Sequence, residues 1–470
     1  MTIKRHYNWR IWFLTLAAAI CLVADSTLLA MAQDKLDEVI SGFDQPSEES
    51  GKKNKQGLER RLPEWLDLTG SVGLAGSFDL CSHRAPPEKI DLKGLSKLRT
   101  EIDLQADLKL PSSWRARVAG HGFYDWIFLI RGQDNFTNEI LDESEYEIEF
   151  DEVYVLGSLS ESIDLKIGRQ IVAWGTSESL RVVDMLNPLD QREPGMVDIE
   201  DLRLPVTMTR LDYYLNNSWS ITGIAVQEIR FNKEPPYGSD FYPWDAPPPE
   251  EEIPNPGFSL KDQEFALAVT GRLTGWDVSL NGAWLYDDYW HLEKDEQGSI
   301  MRQHSRLAMV GGTVHVAMGN WLLKAETAFL DGLEYFNLPD EKKSRLDILA
   351  GVEYLGFKDT AITLEAVNRH LFDYDECLRN SPDEIRENEF RSALRITRDF
   401  LNDTLHLTFV GSGIGPLCED GSFERAQIEY DWSDGLSVTL GAIFYQGGDK
   451  GYFDSIKDND RIFLKFEYSF

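Results

Sequence analysis

Charged side chains two residues apart recur in this sequence: Glu101 and Asp103, Arg115 and Arg117, Glu147 and Glu149, Arg345 and Asp347. On an extended chain, residues i and i+2 leave the backbone on the same face, so each pair would stand side by side on one surface. Arginines held this way bind anions through forked, charge-assisted hydrogen bonds, and neighbouring carboxylates compensate them. The residues of this kind that bear on function are Arg99, Arg115, Arg117 and Arg345, then Arg391, Arg395 and Arg425, with Glu326, Glu365 and Glu429 among them. Two readings stand. The charges form a mixed-sign lattice that braces and solvates a wall around water, or they include a basic ladder of Arg391, Arg395 and Arg425 that guides anionic solutes, since rings of one sign focus the field of a pore.

Bond-making chemistry has little support. His83, His121, His291, His304, His315, His370 and His406 are scattered without the spacing of a zinc site. No Gly-x-Ser-x-Gly elbow and no Walker loop occurs. No catalytic, cofactor-binding or metal-ligating set and no cofactor is therefore expected. A hydrolase assembled from distant strands would require a Ser or Asp within hydrogen-bond reach of a histidine such as His304 or His406. Nucleic acid is excluded as a partner: 47 Lys and Arg face 80 Asp and Glu, a net charge of -33, and counterion release needs clustered cations.

The elements that must position these charges are strands. Leu66, Leu68, Gly70, Val72, Leu74, Gly76, Phe78 and Leu80 share one face; Leu98, Ile102, Leu104 and Leu108 alternate with Arg99, Glu101, Asp103, Gln105 and Asp107. A helical period would smear this pattern around a cylinder. About eighteen such segments follow one another from Trp65 to Phe470, most of them near the ten residues that a tilted strand needs to cross a bilayer. Connections alternate between short turns, such as Asn216-Asn-Ser218 and Met318-Gly-Asn320, and long loops, such as 175–204 and 231–262. Short turns on one rim and long loops on the other describe an all-β transmembrane, antiparallel, up-and-down outer-membrane β-barrel of about eighteen strands, with sixteen as the variant. Trp65, Trp114, Trp219, Trp276, Trp321 and Trp432 fall at the first strand or at short turns, as an interfacial girdle would. The last segment alternates Ile462, Leu464, Phe466, Tyr468 and Phe470 with polar residues, like the terminal strand that the outer-membrane insertion machinery reads.

Before the barrel, Lys4, Arg5 and Arg10 precede the apolar run 11–24, and Ala30-Met-Ala32 suits a signal peptidase. The expected organisation is a signal peptide at 1–32, a polar periplasmic tail or linker at 33–61 and the barrel at 62–470. Cys81, Cys377 and Cys418 imply no disulfide framework, though one bridge, Cys377 to Cys418, stays open. The Glu234 to Gly257 loop, with Pro235-Pro236, Phe241-Tyr-Pro-Trp244 and Pro247-Pro-Pro249, is either a stiff lid or capture surface or a disordered loop.

At Ile167-Gly-Arg-Gln170 with Trp174-Gly175, then Asn187-Pro-Leu-Asp190, then Glu200-Asp-Leu-Arg-Leu-Pro-Val206, the chain resembles a family of uncharacterised, porin-like Gram-negative outer-membrane proteins catalogued as a domain of unknown function. Leu36-Asp-Glu-Val-Ile-Ser-Gly-Phe-Asp44 is similar to family members as well. The resemblance implies an outer-membrane barrel whose gene accompanies exporters of the resistance-nodulation-division type, and so hydrophobic or lipid-like cargo. The motif also has a physical reading. Gly168 permits a bend or close approach, Asn187-Pro188 sets a turn, and Pro205 opens a strand where no ladder donor is needed. A loop this constrained folds inward. Arg169, Trp174, Asp184, Asn187, Asp190, Arg192 and Arg203 are the candidates for a pore constriction, or equally for a structural plug that holds the loop to the wall.

The function expected is therefore a porin-like channel in the cell outer membrane, passing or helping export small or hydrophobic solutes. The alternative is a non-conducting binding or anchoring component of a transport system. Expected partners are outer-membrane lipid and lipopolysaccharide, the insertion machinery, and an RND-type transporter or other periplasmic component.

Overall fold

The computed structural model describes residues 63–87, 90–254, 262–295, 298–449 and 451–470. The expected leader at 1–32, the 33–61 tail and the amphipathic piece at 36–44 lie outside the described residues. Period-two alternation becomes strand throughout: β1 Leu66–Asp79, β2 Gly94–Lys109, β3 Arg115–Asp125, β4 Tyr146–Ser160, β5 Ile163–Gln170, β6 Val206–Tyr214, β7 Trp219–Val226, β8 Glu264–Leu273 and β9 Trp276–Tyr286. A small hairpin, β10 His291–Lys294 and β11 Ile300–Gln303, stands outside the main sheet. Then follow β12 Arg306–Met318, β13 Trp321–Tyr335, β14 Leu338–Phe357, β15 Thr360–Leu371, β16 Asn388–Phe400, β17 Leu405–Ile414, β18 Gly421–Ser433, β19 Leu436–Gln446 and β20 Arg461–Ser469.

Eighteen strands form one sheet in which sequence neighbours pair antiparallel. The sheet closes on itself, because β1 also pairs with β20 from Ser71 opposite Ser469 to Asp79 opposite Arg461. Closure leaves no edge with unpaired backbone groups. No helix among the described residues is long and apolar enough to cross a membrane. The hairpin β10–β11 falls where the sequence predicts only a loop. The short-and-long alternation has one exception: β13 and β14 meet at a tight turn, and β14 is 20 residues long.

The outward face is greasy. Ile148, Leu280 and Val310 are 88%, 66% and 68% exposed. Of the six tryptophans expected as a girdle, Trp65, Trp276, Trp321 and Trp432 are exposed at the short-turn rim. Trp114 and Trp219 lie flat instead over Gly157 and Gly271, where an added Cβ would stand 2.2 Å and 2.7 Å from the ring. Glycine on the neighbouring strand gives each indole its seat.

The inward face differs from the expectation of a hydrated lumen. From β6 round to β16, inward residues such as Met208, Leu285, Leu307, Met309, Leu330 and Leu349 are at most 1% exposed. They pack against Trp174, Leu180, Val182, Val183 and Leu186 of the connection at 171–205. Each such side chain taken from water contributes about 1.5–3 kcal/mol, so half of the barrel has a packed interior like that of a soluble protein. Several expected lumen charges are therefore buried rather than in water: Glu326 (3% exposed) and Glu365 (1%) in that interior, and Arg425 (2%) on β18 beneath the inner loop. From β17 through β20 and β1 to β4 the inward face is more polar, apart from an apolar seat at Val410, Ile443 and Tyr445. There Asp103, on the inward face of β2, is exposed and accepts a 3.0 Å bond from Ser71 of β1. Cys81, Cys377 and Cys418 are free thiols.

Candidate functional site: two loops across the barrel mouth

The inner loop, residues 171–205, begins at a backbone pinch. Gly168 has φ +129°, and a Cβ there would lie 2.2 Å from the Val153 carbonyl oxygen of β4. Only glycine accepts that combination of angle and contact. Asn187, fully buried, then ties the two ends of the loop together. Its Nδ2 donates to the carbonyls of Gln170 (3.2 Å) and Leu204 (2.9 Å), and its Oδ1 accepts from Val172 N–H at 2.8 Å. Asp184 accepts from Trp174 N–H at 3.1 Å and pairs with Arg203 at 2.9 Å and Arg181 at 3.3 Å. Trp174, Asp184, Asn187 and Arg203 thus hold the loop's own shape, and at 4% exposure Asp184 has no open face to a solute.

The loop reaches the far wall and is stapled there. Glu326 of β13 accepts from Thr176 N–H (2.5 Å), Thr176 Oγ1 (3.0 Å) and Ser177 N–H (3.0 Å). Glu365 of β15 accepts from Ser177 Oγ (2.5 Å) and from the N–H groups of Glu178 and Ser179 (both 3.1 Å). These two buried carboxylates are compensated by backbone donors, the arrangement that burial of a charge requires. Lys324 of β13 pairs with Glu178 at 2.5 Å, and Asp198 receives both Arg395 of β16, at 2.6 Å, and Arg425 of β18. On the near wall Glu193 pairs with Lys97 and stands 3.7 Å from Arg99, both of β2.

Of the remaining constriction candidates, Arg169 pairs with Glu149 at 2.5 Å, while Arg192 bridges Glu147 (2.9 Å) and Asp190 (2.5 Å). Sequence reasoning missed the setting of that cluster. Val118 pairs with Val153 and Gly120 with Phe150, so a bulge in β4 presents both Asp151 and Glu152 toward β3. His121 lies between Asp151 (2.6 Å) and Glu147 (3.0 Å), and Arg117 meets Glu152 at 3.2 Å. His121, Glu147 and Glu149 place ligand atoms within 4.8 Å of one another. Arg169, Arg192, Arg230 and Lys233 already neutralise both glutamates, which opposes a further cation. Alternation alone, read two strands at a time, would have brought His121 to this face; the bulge is invisible to it.

Several of the remaining lumen charges are paired as well. Arg345 forks onto Asp347 (2.8 and 2.9 Å), Arg391 holds Glu389 at 2.7 Å, and Arg117 holds Asp107 at 2.8 Å. Arg115 is exposed at the short-turn rim, and Glu429 is half-buried on β18. His406 has Asp399 at 2.7 Å on one nitrogen and Asp431 at 3.7 Å on the other. His304 bonds Glu251 at 2.9 Å and the Asp287 carbonyl at 2.7 Å. An Asp thus stands within reach of His406, as the hydrolase reading requires, and Ser305 Oγ lies 3.3 Å from His291 Nδ1, while His304 bridges two fixed acceptors.

The outer strap spans residues 227–263 and is described to Pro254; 255–261 lie outside the described residues. It leaves β7 and lands on β19 and β20, nearly opposite in the ring. Phe241 is 1% exposed among Ile443, Tyr445 and Ile456. Asp240 takes Arg461 at 2.7 Å, and its carbonyl accepts from Asn459 at 2.6 Å. Near its start, Glu234 accepts from Trp290 Nε1 at 2.7 Å, and Glu251 pairs with Arg302 at 3.1 Å, so the hairpin β10–β11 serves as a buttress. Phe231 stacks on His304 with ring centroids 3.3 Å apart. Prolines stiffen the strap, and Phe231, Phe241 and Tyr242 are buried anchors, whereas Trp244 is 46% exposed.

A family model described as "Protein of unknown function (DUF1302)" matches residues 88–470. No curated protein matches the sequence. Among solved structures, the fold is similar to Acinetobacter baumannii OccAB2, with TM-score 0.50 and 9% identity over 86% of this chain and 98% of that one. Acinetobacter baumannii OccAB1 gives 0.49 and 11% over 86% and 96%. The Pseudomonas aeruginosa outer membrane protein opdK gives 0.49 and 12% over 86% and 99%. At such identities the likeness concerns the fold alone.

Proposed function

The chain belongs to the family described as a protein of unknown function (DUF1302), and from that premise we propose that it is a porin-like channel of the outer membrane whose bore is the polar half of a partly filled barrel. The observation that carries this reading is Asp103: it points inward and is nevertheless exposed, so water-reachable space lies inside the wall. Lys465, Glu101 and Glu467 line the same side, with Lys465 38% exposed and 2.7 Å from Glu467. An outward apolar belt with tryptophans at one rim supports a bilayer setting. Solutes small enough to pass beside the inner loop, or amphipathic enough to use its greasy flank, suit the opening. A periplasmic transport partner of the RND type remains an inference from the family resemblance.

A second reading has its own support. Two loops cross the mouth, and both are fixed at the far side by buried ion pairs, as expected of a barrel that binds or anchors rather than conducts. Planar-bilayer recordings of the full chain separate the two. Discrete current steps of reproducible size support the channel; their absence from heat-modifiable, folded protein removes it and leaves the binding component.

A further inference from the structure

Between the long-loop ends of β2, β3 and β20, the inner loop and the outer strap is a solvent-open cavity of about 230 Å³. One side is apolar. Leu92, Ile127, Phe128, Phe136 and Ile140 form a satellite cluster apart from the main core, and the Phe128 and Phe136 rings meet edge to face at 4.8 Å. The other side carries unused hydrogen-bonding capacity. The Arg99 guanidinium lies 4.0 Å over the Phe123 ring and is 15% exposed. Its carboxylate neighbours, Asp125 at 3.6 Å and Glu193 at 3.7 Å, are beyond hydrogen-bond length, and its Nε is buried without a partner. Ser239 of the outer strap is 7% exposed, and its Oγ also has no partner.

The other charges around the cavity are taken. Lys97 holds Glu193, Arg192 holds Asp190, Arg461 holds Asp240, and Arg131 donates to the carbonyls of Asp91, Leu92 and Lys93. Asp201 is the acid of the lining without an ion pair, and it is exposed to solvent. A buried donor left unmade is costly, and a guanidinium is best satisfied by a charged acceptor. The short helix Ile127–Arg131 turns Ile127 and Phe128 to the cavity, while Leu129 and Ile130 are 51% and 60% exposed. A hydrocarbon tail therefore meets apolar surface on both sides of that turn.

We propose that this cavity is a binding site for a single-tailed anionic amphiphile, its head accepting from Arg99 and Ser239 and its tail lying on Phe128, Phe136 and Ile140. This goes beyond the channel reading, since a seat in the mouth can be occupied whether or not the barrel conducts.

The test uses the full chain in nanodiscs of zwitterionic phosphatidylcholine, with laurate as probe and empty discs as the partition baseline. Saturable laurate binding is expected, about tenfold or more weaker in Arg99→Gln and about threefold weaker in Ser239→Ala, which leaves the strap's packing untouched. Dodecyltrimethylammonium and dodecanol, equal in tail but lacking an anionic head, should not compete. Competition by either at equal strength, or an unchanged isotherm in both variants, overturns the site. Should Arg99→Gln fail to fold, Ser239→Ala alone decides. Loss of the laurate isotherm when phosphatidylglycerol is added to the disc assigns the seat to a bilayer lipid, and its persistence assigns it to a free acid; either supports an anionic head. Conductance of the same preparations, recorded separately, tells failure of this site from failure of the channel.

Discussion

Lys324 of β13 sits 2.5 Å from Glu178 of the inner loop, 146 residues earlier in the chain, and it also holds Glu353 of β14 at 3.0 Å. One ammonium, 4% exposed, thus joins the loop to the wall five strands on from β6.

Replacing Lys324 with Met keeps the side-chain volume, leaves Glu353 without its cation and leaves Glu178 only Arg395, 3.9 Å away. The expected cost is on the order of 3 kcal/mol, reduced by the partial exposure of Glu178. Single-channel steps should grow and become noisier, and deleting 178–201 should enlarge them further. Steps of unaltered size in both variants would mean that the loop does not bound the conducting space.

Asn187→Ala removes three hydrogen bonds at a residue with no exposure. A loss of about 2–3 kcal/mol is expected from the stranded Val172 N–H and the two carbonyls. Asn187→Asp keeps the acceptor but turns a carboxyl oxygen toward the Gln170 and Leu204 carbonyls in a buried site, so it should cost at least as much as Ala. Urea unfolding followed by tryptophan emission reads the order; Asp clearly milder than Ala would mean that the two donated bonds contribute little.

Arg395→Gln removes a positive charge from the lumen and frees Asp198 from one of its two arginines. Reversal potentials under a salt gradient should shift toward cations, and further when Arg391→Gln is added. No shift in the double variant would reduce these arginines to wall chemistry.

Acid should act on the mouth in two opposite ways. Burial raises the Asp288 carboxyl well above the usual range and also raises that of Glu234. Such groups bind protons more tightly folded than unfolded, so they favour the fold as pH drops from neutrality. Glu193 is the reverse: burial alone would raise it, but Lys97 and Arg99 outweigh burial and hold it at about 2. Its contribution is complete above the unfolded value of about 4.3 and is lost as pH falls from there toward 2. Melting temperature should therefore peak at mildly acidic pH. A steady rise from pH 3 to 8 would contradict this assignment.

Phe241→Ala empties a seat among Ile443, Tyr445 and Ile456, where about 3–5 kcal/mol is typical for a buried Phe. The outer strap should then be cut by proteases added outside whole cells while the barrel stays intact. Equal resistance of both forms would show that the strap is held elsewhere.

The barrel was legible because a strand with water on one face and hydrocarbon on the other writes its period into every second residue. That signal located all eighteen barrel strands. It failed where the contrast disappears. On β12 the inward residues Leu307 and Met309 are as apolar as outward Val310, because they face a loop instead of water. Asn187 and Gly168 stood out by residue type, but their exact partners did not, since the carbonyls and N–H groups they meet carry no side-chain signature. Phe241 was visible as one aromatic among several in a proline-rich stretch; its seat on β19, some 200 residues later, has no local trace. The bulge at Asp151 and Glu152 shifts the period by one residue, which simple counting reads as noise.

The greasy flank that the inner loop covers also bears on how the molecule is made. Its cover is synthesised early and its walls late, with Glu326 and Glu365 about 150 and 190 residues downstream of Ser177. Until those walls arrive, a growing half-sheet has apolar surfaces on both sides, with lipid suited to only one of them. Assembly must therefore bring the loop under the curling sheet before the seam is zipped, and an escort that shields the concave side during that wait would be as necessary as the one that delivers the sheet to the bilayer.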